Sequence, residues 1–352
     1  MTASPIPAAL LRGVRRHLDA PQAEIVAIQR QPLPGGLSGG HLASWRLRLR
    51  KAGAVSALTL VYKHGDVAAG EFMKGASQRE ALTYAALADR IPLTLPTVVA
   101  VHAAAGEIWM LPFPPAKPAT HWRAAWDEGD VRAVIADLAT LHAAFWNQAE
   151  TPETWPWLLQ PTLADARRLL QDGRAGLERI WEEALFDDSL TPERTARLLV
   201  LARDPAPLLD ALHAGPMTLL HGDAGFQNVA IAQGGCLRIW HDWQLAAWGP
   251  PTLDWATFLH PWAYPEAPSP LPFRAMTRLY LDELARCGAR LDPNAFQHQL
   301  DAALLWRWLI QWGPLWGKYR ERLRPEVQAR LGHAFERLQW PALARWSSRP
   351  GQ

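Results

Sequence analysis

His221-Gly222-Asp223-Ala224-Gly225-Phe226-Gln227-Asn228, followed by Asp242-Trp243, is the stretch on which the reading of this 352-residue chain turns. Asp223 and Asn228 stand at the two ends of a short loop. Residues 229–232 and 237–240 read as strands on either side of Gln233-Gly234-Gly235, so Asp242 falls just past the second strand. A hairpin returns its outer ends to one another, which offers the oxygens of Asn228 and Asp242 to one magnesium ion and leaves Asp223 for an acceptor. Phosphoryl transfer asks a protein for this set: a carboxylate to orient the acceptor hydroxyl, and ligands that hold magnesium against nucleotide phosphates. Aspartate and glycine are ordinary turn residues. Turn chemistry alone, however, does not call for His, Gly, Asp, Asn and a second Asp at these spacings.

The motif resembles that of the aminoglycoside phosphotransferase and choline kinase family, small-molecule relatives of the protein kinases. Their pattern is H-G-D-x-x-x-x-N followed by I-D-W/F-E/Q, here HGDAGFQN and HDWQ. The resemblance implies that Asp223 is the catalytic base or orienting group, and that Asn228 and Asp242 hold magnesium. His241 stands where an apolar residue is common and Gln244 where Glu is frequent; neither change removes a ligand. Gly249-Pro250-Pro251-Thr252-Leu253-Asp254 is similar to the family's G-x-P-x-x-D-L segment and casts Asp254 as an internal anchor of the catalytic loop.

Such a chemistry also needs a nucleotide clamp: a strand lysine, a helix glutamate to hold it, and a glycine-containing loop. Lys63 closes the strand-like run 57–63. In the helix-like segment 70–91, Met73, Ala76, Glu80, Tyr84, Leu87 and Ile91 share one stripe. Glu80 therefore sits inside an apolar face and needs a partner, because an isolated buried charge is costly. Lys63 is the nearest lysine that a preceding strand offers. Gly35, Gly36, Ser38, Gly39 and Gly40 lie between strand-like segments 25–30 and 42–49, where their amides are placed to cover phosphate oxygens; the loop is not of the Walker type. The segments Arg79-Glu80 to Tyr84, Pro96-Thr97-Val98 and Leu141-His142-Ala143 are similar to further family segments, extending the resemblance over most of residues 23–262.

Strand patterns concentrate before Pro112 and helical patterns follow it, at 131–146, 163–177, 192–202 and 273–287. The expected fold is α+β and protein-kinase-like, with a small β-rich lobe (1–112) clamping the nucleotide and a larger mainly helical lobe (113–352) for catalysis and the acceptor. Relatives bind adenine through the backbone at the join, here near Met110, Leu111 and Phe113. Pro112 has no N–H to donate, so Leu111 and Phe113 are both candidate donors.

A net charge of +2 with interspersed signs gives no electrostatic case for nucleic acid or an anionic membrane. Two cysteines, Cys236 and Cys287, provide no disulfide framework and favour a reducing compartment. Without an apolar run of the roughly 20 residues that a membrane helix needs, or a leader pattern, the expected location is the cytoplasm.

Nineteen tryptophans are present, most of them after Thr120. They can line a site by stacking or by caging a quaternary ammonium. Trp308, Trp312 and Trp316 instead recur every fourth residue, as a packing stripe does. Acidic residues after 280 are balanced by arginines, which does not favour a dedicated polycation pocket.

The expected activity is transfer of a phosphate from ATP, or from GTP, with Mg2+, to a hydroxyl of a sugar, amino alcohol, choline-like or aminoglycoside-like molecule. The alternative is a catalytically silent, nucleotide-binding pseudokinase, from which the loss of Lys, Asp or Asn would be expected. A protein substrate is the more distant option: about ten residues between Asp242 and Pro251-Thr252-Leu253-Asp254 leave little room for an activation segment.

Overall fold

The structure, a computed structural model, describes residues 6–34, 41–65, 73–113, 117–120, 122–148, 151–317 and 323–348. The chain divides into two compact units: Met1–Pro115 together with Ile239–Leu245, and Ala116–Arg238 together with Ala246–Gln352. A single cut at Pro112 does not express this grouping, because the segment carrying Asp242 belongs with the first unit.

That unit is built on five strands, β1 (Glu24–Pro32), β2 (His41–Lys51), β3 (Ala54–His64), β4 (Val98–His102) and β5 (Glu107–Met110). They form an antiparallel sheet in the order β1-β2-β3-β5-β4. On β2, Trp45, Leu47 and Leu49 are buried while Arg46, Arg48 and Arg50 are exposed, the period of two that one covered face imposes. Leu10 and Val14 of the helix Ala8–His17 complete that core together with Leu60, Val99 and Trp109. Ala52 and Gly53, both at positive φ, make the two-residue turn from β2 to β3. Tyr62 stacks on Trp45 with ring centroids 4.6 Å apart. Lys63, one residue further, points to the other face.

The helix expected over 70–91 runs from Ala76 to Leu87. Gly75 at φ 71° starts it, and Pro92 drives the preceding backbone out of the helical region. The stripe is present, with Ala76, Glu80, Tyr84, Leu87 and Ile91 all buried. The 239–245 segment joins this unit through the Trp240 N–H, which donates to Thr94 O at 2.9 Å, and Gln244 O, which accepts from Arg79 Nη1 at 2.6 Å.

The second unit is mainly helical. Its long helices include Glu128–Ala144, Pro192–Arg203, Thr252–Trp262, Phe273–Arg286 and Pro293–Arg307. The pattern over 163–177 is two helices, Leu163–Leu169 and Gln171–Glu182. The second of these carries Gly173 against the Leu309 carbonyl and Gly176 against Gly317, approaches that leave no room for a Cβ. Trp308, Trp312 and Trp316 are buried, but a π-helical turn over Trp308–Trp312 gives them different partners. Trp308 and Trp316 meet Phe335 edge-on, whereas Trp312 stacks on His260 at 3.5 Å. Among the described residues, no helix is long and apolar enough to cross a membrane.

Candidate active site

In the first unit the strand, the helix and the 239–245 segment bring three charged side chains together. Lys63 Nζ lies 2.7 Å from Glu80 Oε2 and also binds Asp242 Oδ1. The expectation that an inward glutamate would find Lys63 is met by this contact. Glu80 is 1 % exposed, and its Oε1 is buried with no hydrogen-bond partner among the described residues. Burial raises the Glu80 pKa and the Asp242 charge adds to that rise, while Lys63 opposes it. Burial acts to lower that of Lys63, but the Asp242 and Glu80 charges outweigh it and hold the ammonium protonated. Asp242 has φ 66°, a left-handed conformation uncommon outside glycine. Such strain persists only where neighbouring contacts hold it, and is common at functional sites.

Of the residues at the join, Met110 is buried in β5 opposite Val61 and Val98. The Leu111 N–H is committed to Thr97 O at 2.9 Å. The Phe113 ring lies 5.2 Å from that of His241, the residue standing in place of the family's apolar one. Gly35, Gly36, Ser38, Gly39 and Gly40 lie outside the described residues; β1 and β2, which they connect, pair as far as Pro32 and Ala43.

In the second unit the strand Thr218–Leu220, paired with Ala247–Gly249, delivers the chain into His221. Gly222 turns it at φ 84°, a conformation that suits glycine. Asp254, in the first turn of the Thr252–Trp262 helix, accepts the N–H of His221 through Oδ2 and of Gly222 through Oδ1, both at 2.7 Å. His142 Nε2 lies 3.3 Å from the same Oδ2, and its Nδ1 is 2.7 Å from the Tyr280 hydroxyl. Burial acts to raise the Asp254 pKa, but the His142 hydrogen bond, the His142 and His221 charges and the Gly222 amide bring it below the usual carboxylate value. Asp254 is thus an ionised side chain that holds the backbone at His221 and Gly222.

The loop it holds presents Asp223, whose N–H donates to His221 Nδ1 at 3.2 Å. Asn228 Nδ2 donates to Asp223 O at 2.8 Å and to Asp223 Oδ2 at 2.9 Å, fixing the plane of the carboxylate. Val229–Ala232 and Leu237–Trp240 are strands, joined through a tight turn at Gln233–Gly235.

Two supports have no assigned role in the sequence reading. His142 lies in a segment quoted for its resemblance only. Arg307 is buried, donates to Gly222 O and bonds Thr257 Oγ1 through Nε at 2.9 Å. Burial lowers its pKa while the Asp223 and Asp254 charges counter that shift. Its signal was available: a lone charge inside the apolar run Leu304-Leu305-Trp306-Arg307-Trp308-Leu309-Ile310 must find partners, as Glu80 does.

Comparison with known proteins accords with this geometry. Macrolide 2'-phosphotransferase type I superposes with a TM-score of 0.53 at 18% identity, over 94% of this chain and 95% of its own. The GDP complex of aminoglycoside 2'-phosphotransferase-IIIa gives 0.53 at 13% identity, over 96% and 99%. An aminoglycoside phosphotransferase from Alicyclobacillus acidocaldarius gives 0.51 at 15% identity, over 99% and 97%. These likenesses establish the protein-kinase-like α+β fold. No curated protein matches the sequence. The model of the phosphotransferase enzyme family matches residues 58–293, a span that begins on β3 and includes Lys63, Glu80, Asp223, Asn228, Asp242 and Asp254. The chain belongs to the phosphotransferase enzyme family and is a kinase.

Proposed function

We propose that the chain transfers the terminal phosphate of ATP to a hydroxyl group of a small molecule, with the first unit clamping the nucleotide and the second carrying the acceptor. The observation that carries this reading is the convergence of Lys63, Glu80 and Asp242 in one cluster. Lys63 neutralises phosphate charge, and Glu80 keeps it in place. Of the two candidate hinge amides, Leu111 is already used by Thr97, which favours Phe113 as the donor to the base; Met110 backs it from β5.

Asp223 receives the proton as the acceptor oxygen bonds to the γ-phosphorus and the bond to the β–γ bridging oxygen breaks. Asn228 steadies its carboxylate, and Asp254 and Arg307 hold the loop that carries it. On this reading Asn228 and Asp242 would each offer an oxygen to Mg2+. No group of three or more His, Cys, Asp or Glu side chains among the described residues forms a metal site. Magnesium usually takes one or two protein oxygens and completes its shell with phosphates and water. When bound, the ion neutralises charge on the phosphates.

A solved neighbour is a GDP complex, so ATP and GTP are to be tested side by side. Calorimetry with each nucleotide, with and without Mg2+, is expected to give magnesium-dependent binding that Asp242→Asn weakens. Equal affinity with and without the ion, in both proteins, would contradict the assignment.

A further inference from the structure

Along the loop that carries Asp223, from His221 to Ala230, only Asp223 and Gln227 are not buried. Both side chains leave one tight turn, in which the Gly225 N–H donates to Asp223 O at 2.7 Å and the Asn228 N–H to Gly225 O at 3.0 Å. The Gln227 amide folds back over Gly225. A Cβ at Gly225 would lie within 2.7 Å of Gln227 Oε1, Nε2 and Cδ. Gly225 has φ −85° and ψ 163°, angles that any residue adopts, so its backbone does not call for glycine. What the missing side chain provides is room for the amide.

A glutamine that serves only the surface turns its amide into water. Here Oε1 is buried and has no hydrogen-bond partner among the described residues, although the residue itself is partly open to solvent. An amide oxygen enclosed without a donor carries a desolvation penalty that a bound ligand can remove. Its position limits the ligand. Asn228 Nδ2 holds Asp223 Oδ2 at 2.9 Å, so carboxylate and amide are fixed on one turn, and a hydroxyl that reaches Asp223 brings its neighbouring group to Gln227. An amide both donates and accepts hydrogen bonds and carries no charge. It matches a second hydroxyl, which also does both, whereas an ammonium only donates and gains more from a carboxylate.

We infer that Gln227 is a specificity-determining residue: its amide bonds a hydroxyl adjacent to the one that takes the phosphate, and the acceptor is a compound with adjacent hydroxyls, a polyol or sugar. This inference rests on the phosphotransferase reading and narrows its acceptor.

The test uses the full chain with Mg-ATP and glycerol, ribose, glucose and myo-inositol as acceptors, against choline and ethanolamine, which have a lone hydroxyl. The best acceptor is paired with its analogue lacking the hydroxyl next to the one phosphorylated. The wild type is expected to transfer phosphate to a compound of the first group. It should favour that compound over the analogue about threefold to tenfold in kcat/KM, the size of one hydrogen bond. Gln227→Leu should lose this preference by raising the acceptor KM, with the nucleotide KM unchanged. Gly225→Ala keeps Gln227 in the chain but takes the place of its amide, so it should give the same loss, and the double variant no further one. A preference that persists in both variants overturns the inference. So does transfer confined to choline or ethanolamine, or Mg-ATP binding without transfer to any compound of the first group. Failure of the wild type to bind Mg-ATP would instead sink the phosphotransferase reading.

Discussion

Asp254 Oδ1 accepts the Gly222 N–H at 2.7 Å, across thirty-two residues of chain. The other oxygen of the same carboxylate serves His221 N–H and His142. One fully buried side chain therefore fixes the backbone that leads into Asp223. Asp254→Ala leaves these donors unpaired in a dry interior and is expected to cost about 3–5 kcal/mol, the range for breaking a buried ionic network. Urea unfolding of the variant checks this; a loss below about 1 kcal/mol would show that the anchor is dispensable.

Lys63 and Glu80 are expected to act as one unit. Lys63→Ala leaves the buried Glu80 charge uncompensated and Glu80→Ala leaves Lys63 held by Asp242 alone, so the two should be non-additive, with a coupling of about 0.5–3 kcal/mol in a double-mutant cycle of nucleotide binding. Additive losses would mean that the contact at 2.7 Å does nothing for the nucleotide.

Gly173→Ala places a Cβ 1.9 Å from Leu309 O. The contact is with backbone, so the helices must separate. An expected loss of about 1–3 kcal/mol, typical of overpacking, is readable by thermal or urea unfolding. Gly53→Ala is the contrast for crowding, because its Cβ meets nothing within 4 Å; its φ of 82° leaves backbone strain as the only cost. Equal losses in the two variants would show that crowding at Leu309 contributes nothing.

His260, stacked on Trp312 and 3 % exposed, has its pKa pushed down to about 3 by burial and by the Arg307 charge. The unfolded chain takes up a proton near pH 6.5 that the folded chain refuses until much lower pH. Its contribution to stability is therefore complete above about pH 6.5 and is lost as pH falls toward 3, with a slope of up to about 1.4 kcal/mol per pH unit. His260→Phe keeps a flat ring beside Trp312 and should flatten the stability profile by one proton over that window. An unchanged slope would mean that His260 is charged in the folded state.

The parts of the site legible in the sequence are those whose chemistry forces a partner. Glu80 in an apolar stripe required a cation, and Asp254 beside the loop motif had one carboxylate's work to do. The β2 alternation from Trp45 to Arg50 likewise announces a sheet covered on one face. What stayed hidden depends on long-range packing. The Leu170 break between two helices, the π-helical turn that sends Trp312 to His260 while Trp308 goes to Phe335, and the closure of Arg307 onto Gly222 O have no local signature beyond an odd charge or a glycine. The commitment of the Leu111 N–H to Thr97 depends on strand ends that periodicity alone does not fix.

The central claim is that Asp223 accepts the proton of a hydroxyl that takes a phosphate from Mg-ATP. The direct measurement is phosphate transfer from γ-labelled ATP to a panel of hydroxyl compounds by the wild-type chain and by Asp223→Asn, with nucleotide affinity measured on both. The account predicts transfer to an acceptor by the wild type, a drop of about 10²-fold or more in kcat for the variant, and nucleotide binding within a few-fold of the original. Transfer at an undiminished rate by Asp223→Asn would contradict it.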